Sequence, residues 1–405
     1  MTTTSSLTRC RSSWPRAGVP VSPRHSRSNS PSCRRVCDHR GDRLGRAGTR
    51  PAWPSRRRVF EQNACARTER RNVMNAAHEV GDFEQLTSGY RTELLAYCYR
   101  MLGSIDEAED LVQDTYIRAW RYFDRFEGRA SVRTWLYKIA TSACLTALQT
   151  RRRRPLPSGL RAPSEFADVP LAEAEPRIAW LQPAPDTILH ATTGDPATVV
   201  SLRGTIRLAF IAALQHLSAR QRAVLVLRDV LGWPASEVAL MLDTSTTAVN
   251  SALRRARTQL ASIGPIEADL GEPAEPQLQA LLDRYVTAFE HADIAGLTTL
   301  LRADVELEMP PIPTWFTGRD AVCGFMGNMI LTAPGLWHLV PTRANESPAL
   351  AIYQHGADEL YHAYGICTLT LIGGRIARIV VFADAELVTR FDLPEISTWR
   401  PTHPA

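Results

Sequence analysis

The chain has 405 residues, 44% of them hydrophobic and 22% charged, which suggests two or three soluble domains and not one core. No apolar run is long enough to span a bilayer as a helix, so membrane-embedded functions are excluded. The formal net charge of +5 hides a division: residues 1–73 hold seventeen arginines against four acids, a local charge of +13, which leaves −8 for the remainder.

Residues 1–73 are rich in Arg, Ser and Pro and poor in periodic apolar positions, a composition that predicts disorder. They lack the apolar segment of a secretory signal. Lys138 is the single lysine of the chain, so the arginine excess fits translated GC-rich sequence, and Met74 stands just before the first recognisable helix. The expectation is that residues 1–73 are upstream sequence carried into the reading frame; the alternative is a basic arm with nonspecific DNA affinity. Four of the eight cysteines lie there, and Cys33 and Cys37 stand near His25 and His39, but without metal-site spacing. Cys98 and Cys144 fall in apolar helical stretches and are expected as buried thiols in a reducing compartment. No cofactor or metal is expected.

The first ordered unit spans 82–154 and reads as all helical. Glu84 to Met101 has helical periodicity, and Gly103-Ser104 punctuates it, Ser104 being placed to cap the next helix. That helix, Asp106 to Trp120, clusters Glu107, Glu109, Asp110 and Asp114 in its first turns, where the helix dipole favours acids. Leu111, Thr115, Ala119 and Tyr122 form its apolar stripe. Phe126 to Val132 reads as a loop and Trp135 to Leu148 as a further helix, followed by four arginines, Arg151 to Arg154. An acidic helix beside a basic, aromatic segment suggests a chain that bridges a large protein partner and DNA, although on charge pattern alone an ordinary surface helix is the better reading.

Residues 155–201 hold eight prolines and are expected as a linker without regular structure, with an apolar stretch at 177–183 suited to docking. Residues 202–263 read as a helical bundle ending in a helix-turn-helix. Ala239, Leu242 and Val249 would pack its two helices, and Asp243-Thr244-Ser245 would form the turn. The helix after the turn presents Thr246, Thr247, Asn250, Ser251, Arg254, Arg255 and Arg257; the small and amide side chains suit base edges and the arginines phosphates. From 276 to 393 the pattern changes to two amphipathic helices, Leu278 to Phe289 and Ile294 to Leu301. Strand-like runs follow at Val305 to Met309, Leu336 to Thr342, Ala349 to His355, Tyr361 to Ile372 and, after Gly373-Gly374, Ile376 to Phe382. Residues 394–405 form a tail. The fold class is multidomain: two all-α domains plus a C-terminal α+β cone with a curved antiparallel sheet.

Three blocks carry a resemblance: Tyr90 to Met101 (YRTELLAYCYRM), Asp110 to Asp114 (DLVQD) and Phe126 to Leu136 (FEGRASVRTWL). In this order and spacing they resemble region 2 of bacterial sigma factors, closest to the extracytoplasmic-function group. Leu217 to Val224 (LSARQRAV) with the helix-turn-helix resembles region 4, which reads the −35 promoter element. The resemblance implies that Asp110, Leu111, Val112 and Gln113 contact the β′ clamp of core RNA polymerase. It implies that the Phe126 to Val132 loop captures a flipped −10 base, with Arg129, Arg133, Trp135 and Lys138 facing melted DNA. Stacking on such aromatic faces is worth roughly 1–3 kcal/mol per base. The −35 contacts would be Thr246, Thr247, Asn250, Ser251, Arg254 and Arg255. Asp243 stands where the family usually has Gly, and Asn250 and Ala252 where Lys and Arg are common.

The last segment resembles the nuclear-transport-factor-like fold of small polyketide cyclases and ketosteroid isomerases, through Leu281 to Asp293 (LLDRYVTAFEHAD) and Glu308-Met309-Pro310-Pro311 followed by Trp315 to Arg319. Trp315, His338, Tyr353, His355, Asp358 and His362 are its candidate ligand pocket. The implied function is a cytoplasmic, promoter-specific transcription initiation factor whose partners are core polymerase, promoter DNA and a candidate small-molecule ligand of the last domain. That domain would be a regulator and not an enzyme. The alternative is a polyketide-cyclase-like enzyme tethered to DNA.

Overall fold

The structure, a computed structural model, describes residues 83–126, 128, 130–149, 153–175, 177–189, 207–263 and 275–399. The expectations for residues 1–73, Cys33, Cys37 and Arg129 lie outside these.

The first helical group is α1 (Arg91–Leu102), α2 (Ile105–Arg121) and α3 (Val132–Gln149). Gly103 ends α1 with φ +72° and donates its N–H to the Tyr99 carbonyl. A β-carbon here would also approach Leu181 and Gln215 to within 3 Å, so glycine serves both the turn and a close three-way approach. Ser104 caps α2, its hydroxyl accepting from Glu107 N. Helix α3 starts three residues before Trp135, because the Ser131 hydroxyl caps it through Thr134 N.

The second group is α4 (Asp186–Leu189), α5 (Leu208–Leu214), α6 (Ala219–Leu225), α7 (Ala235–Met241) and α8 (Thr246–Ile263); α6 continues as a π-helical turn, Val226–Val230. A capping box, Ser218 with Gln221, begins α6.

The last domain opens with α9 (Glu275–Glu290) and α10 (Ile294–Leu300). Strands β1 (Leu301–Met309) and β2 (Ile312–Thr317) follow, then α11 (Arg319–Phe325) and strands β3 (Trp337–Ala344), β4 (Ser347–His355), β5 (Tyr361–Ile372) and β6 (Arg375–Phe382). It closes with α12 (Ala385–Arg390) and the short β7 (Ile396–Ser397). The strand order is β2-β1-β6-β5-β4-β3, with β7 beside β5. All pairings are antiparallel except β1 with β6, which is parallel, so the sheet is mixed and not purely antiparallel as expected.

The sheet has two apolar faces, set by the period-2 alternation of its strands. Leu350 and Ile352 of β4 point under α9–α11, with Leu282, Phe289, Leu339 and Leu369. Ala349, Ala351 and Tyr353 point the other way, and that core is continuous with Leu94, Tyr97, Leu136, Ile211 and Leu227 of the helical groups. The cone is thereby packed onto the helices through its sheet.

The linker is irregular as expected, but its described part is bound in place along its length. Ser164 pairs with edge strand β2, donating to the Trp315 carbonyl and accepting from Thr317 N. Ser158 N donates to the buried Glu308 carboxylate (2.9 Å), and Ala172 N to the Thr314 hydroxyl (2.8 Å). Prolines remove donors from this stretch; of the donors that remain, these are met by the cone, while Gln182 N meets the Gly103 carbonyl of the first helical group (3.0 Å).

Candidate functional site

Helix α2 has two sides. Leu111 and Val112, grouped with Asp110 and Gln113 in the sequence, are buried at 9% and 1% exposure and pack within the helical group. Asp110, Gln113, Ile117 and Trp120 are exposed and, at spacings of three and four, form one stripe. Trp120 lies edge-on to Phe83 (5.3 Å), which holds its indole at the C-terminal end of the stripe.

The acids nearest the helix start are engaged from elsewhere in the chain. Arg390 of α12 bridges Asp106 (2.9 Å) and Glu109. Arg154 pairs with Glu107 (2.5 Å) and donates to the Trp180 carbonyl (2.7 Å); this arginine is buried, not a solvated or DNA-tracking side chain. Gln182 of the linker donates to Asp106 (2.9 Å), while its oxygen accepts from the capping hydroxyl of Ser104 (2.5 Å).

On α3, Arg133 donates to Glu93 (2.7 Å) and lies over the rings of Trp233 (4.7 Å) and Tyr137 (5.4 Å). Burial works against its charge, but the Glu93 hydrogen bond and carboxylate outweigh this and hold its pKa above the usual arginine value. Trp135 is half-buried against Phe126 (4.8 Å). Lys138 pairs with Asp243 (3.0 Å).

The helix-turn-helix is α7 and α8. Ala239, Leu242 and Val249 are buried between them as expected, and the Ser245 hydroxyl caps α8 through Ala248 N. Asp243 sits in the turn with φ +47°, a left-handed conformation that Asp tolerates better than most residues. Thr246, Thr247, Asn250, Arg254 and Arg255 are exposed on one side of α8, and Ser251 is half-buried. Arg257, expected among the phosphate contacts, instead makes two hydrogen bonds to Asp229 (2.7 and 2.8 Å).

The sigma-70 region 2 model matches residues 86–154, and the sigma-70 region 4 model matches residues 207–260. The ECF RNA polymerase sigma factor SigG of Mycobacterium tuberculosis is 45% identical over 341 residues, covering 84% of this chain and 90% of that protein. The chain belongs to the ECF sigma factors. Its region 2 is thus α1–α3, and its helix-turn-helix ends region 4. Among solved structures, the M. tuberculosis sigma factor SigJ is similar at a TM-score of 0.49 and 22% identity, over 78% of this chain and 100% of that one. An NTF2-like protein of unknown function from Mesorhizobium loti is similar at a TM-score of 0.24 and 18% identity, over 28% of this chain and 96% of that one.

In this sigma factor regions 2 and 4 are joined by Arg222 of α6. It is buried, donates to the Met101 carbonyl at the end of α1 and to Gln215 (3.0 Å), and burial pushes its pKa down to about 10. The cone meets region 2 at the β3–β4 turn, where Asn345 and Glu346 both have φ +54°. Asn345 is fully buried. Its oxygen accepts from Ala184 N (2.9 Å) and its amide donates to the Tyr99 hydroxyl (3.0 Å), which in turn donates to the Gln182 carbonyl (2.9 Å). Asp186 accepts from Glu346 N (2.6 Å) and Arg343 (3.1 Å). Hairpin tip, linker and region 2 therefore share one hydrogen-bond network.

The candidate pocket does not converge. Trp315 lies on edge strand β2, where its indole donates to the Arg161 carbonyl (2.8 Å), whereas His338 lies on the opposite edge strand β3. His338 is bonded to Glu290 (2.8 Å) and stacked on Trp399 (4.2 Å), with Tyr353 and Tyr361 beside it. His355 packs against Tyr361 at 5.0 Å. Asp358 and His362 form a partly exposed pair across the β4–β5 turn (2.9 Å). Among the described residues no cluster of His, Cys, Asp or Glu could hold a metal, and no helix is long and apolar enough to cross a membrane. Cys98 and Cys144 are buried thiols with sulfurs 3.9 Å apart.

No pattern in the sequence singled out Arg390, Asn345 or Gln182, and Arg222 stood within the Leu217 to Val224 block without being distinguished from its neighbours. Only the apolar 177–183 stretch hinted at docking there.

Proposed function

We propose that the cone is an intramolecular brake on the polymerase-binding helix of this sigma factor, not an enzyme. Arg390 carries the reading: it neutralises Asp106 and Glu109 one turn from Asp110 and Gln113, the residues proposed to meet the β′ clamp in the cytoplasm. Acids held by an internal arginine attract a basic partner less, and a docked α12 stands beside the stripe that the partner must cover. Arg133, Trp135 and Lys138, with Arg129, are proposed to face −10 DNA, and Thr246, Thr247, Asn250, Ser251, Arg254 and Arg255 the −35 element. A small-molecule ligand, where one acts, would work by loosening the cone from region 2.

A DNA-tethered cyclase is less well supported, because Trp315 and His338 stand on opposite edge strands and the Asp358–His362 pair is partly exposed. The test is binding of labelled core polymerase by the full chain and by Arg390→Ala. The pairs are partly exposed, so the variant should bind about two- to fivefold more tightly at low salt. Equal or weaker binding would reject the brake.

A further inference from the structure

Two of the α3 residues proposed to face −10 DNA, Arg133 and Lys138, are occupied by region 4. Arg133, Thr134, Tyr137 and Lys138 recur on one side of the helix, and that side meets the segment leading into α7, α7 itself and the turn after it. Trp233 covers the Arg133 guanidinium and packs on Tyr137 (5.1 Å), Glu237 accepts from Thr134 (3.4 Å), and Asp243 holds Lys138 (3.0 Å). Glu237 and Asp243 put carboxylate oxygens where a cation-lined surface would otherwise receive phosphate oxygens.

We propose that Asp243 is an internal phosphate mimic, which in the DNA-free chain clasps Lys138 and withholds the −10 face of region 2 until nucleic acid displaces it. This rests on the assignment of Lys138 to −10 DNA. It also accounts for the departure from glycine at 243: the turn there has φ +47°, which glycine adopts without strain and Asp only tolerates. An aspartate there makes sense where its side chain has a partner, and its partner is the only lysine in the sequence. Both side chains remain half or more exposed, at 51% and 80%, so the clasp is weak enough for a polyanion to open. The −35 side of α8 is not covered in the same way: Thr246, Thr247, Asn250, Arg254 and Arg255 stay exposed while Lys138 is held. Region 4 can therefore engage DNA first, and its engagement pulls the turn away from α3.

The test uses the full chain and a fluorescein-labelled oligo-dT strand, read by anisotropy at low and high salt. Asp243→Asn should tighten binding about two- to fivefold at low salt, the scale of an exposed ion pair, with the gain fading as salt rises. Asp320→Asn, the same charge change on the exposed start of α11, should not reproduce it. Lys138→Gln should weaken binding, and in that background Asp243→Asn should add nothing. A gain that persists without Lys138, or one that Asp320→Asn matches, would overturn the clasp. So would unchanged binding by Asp243→Asn when Lys138→Gln weakens it, although the DNA-facing role of Lys138 would then survive. If Lys138→Gln binds as the parent does, that role fails first and the clasp with it.

Discussion

Replacing Asn345 by alanine should uncouple the cone from region 2 while leaving each core packed. The side chain is fully buried, and its bonds include one from Ala184 N and one to the Tyr99 hydroxyl. Losing two such bonds costs about 1 kcal/mol each, and the stranded Ala184 N–H about 1–2 kcal/mol more. Alanine at φ +54° adds roughly 1 kcal/mol of backbone strain. The Tyr99 hydroxyl keeps its bond to the Gln182 carbonyl, so nothing is added for it. The sum is about 4–5 kcal/mol, a large share of the stability of a typical domain. Asn345→Gly loses the same bonds without the strain of a β-carbon and should fall about 1 kcal/mol short of the alanine variant. The assay is hydrogen exchange with scanning calorimetry. Amides at 181–186 and in the β3–β4 turn should lose protection together, and one unfolding transition should become two. Parental protection in Asn345→Ala, or a glycine variant worse than alanine, would refute the reasoning.

Arg222→Ala removes the donor shared by the Met101 carbonyl and Gln215 and should cost about 2–4 kcal/mol of the contact between regions 2 and 4. Small-angle scattering checks it: the radius of gyration should rise, and an unchanged radius would show that the staple is dispensable. Burial pushes the Glu308 carboxyl above the usual carboxylate range, opposed by Arg378 and by the bond from Ser158 N. The folded chain thus holds this proton more readily than the unfolded one, so the group's contribution to stability is full at acidic pH and is lost as pH rises through its raised value. Glu308→Gln should flatten the fall in melting temperature as pH rises above the ordinary carboxylate range, and a slope equal to the parent's would exclude Glu308 as its source.

Much of the fold was legible where local pattern and packing agree. The helices of regions 2 and 4 follow their 3.6-residue periodicity, and Ser104 caps α2 as its position before an acidic turn suggests. Strand β2 went unseen because Pro310, Pro311 and Pro313 argue against a strand, yet β2 is an edge strand, where missing donors are tolerated. The same prolines-mean-no-structure reasoning missed that Ser158, Ser164 and Ala172 find their partners on the cone. The separation of Trp315 from His338 and Tyr353 was hidden for a different reason. Strand sequences give faces but not sheet order, so nothing showed that Trp315 and His338 stand at opposite edges. Arg390 and Asn345 carry no motif at all; their roles exist only because the cone's sheet packs on region 2. The departure at Asp243 was visible in the sequence, but its partner Lys138 lies more than a hundred positions away.

The most direct test is transcription by purified core polymerase on a pooled promoter library, programmed by the full chain and by Arg390→Ala at limiting core. Specific transcripts from both, more abundant from the variant, are the result expected of a sigma factor braked through α2. Failure of both to initiate while binding core, or weaker initiation by Arg390→Ala, would contradict it.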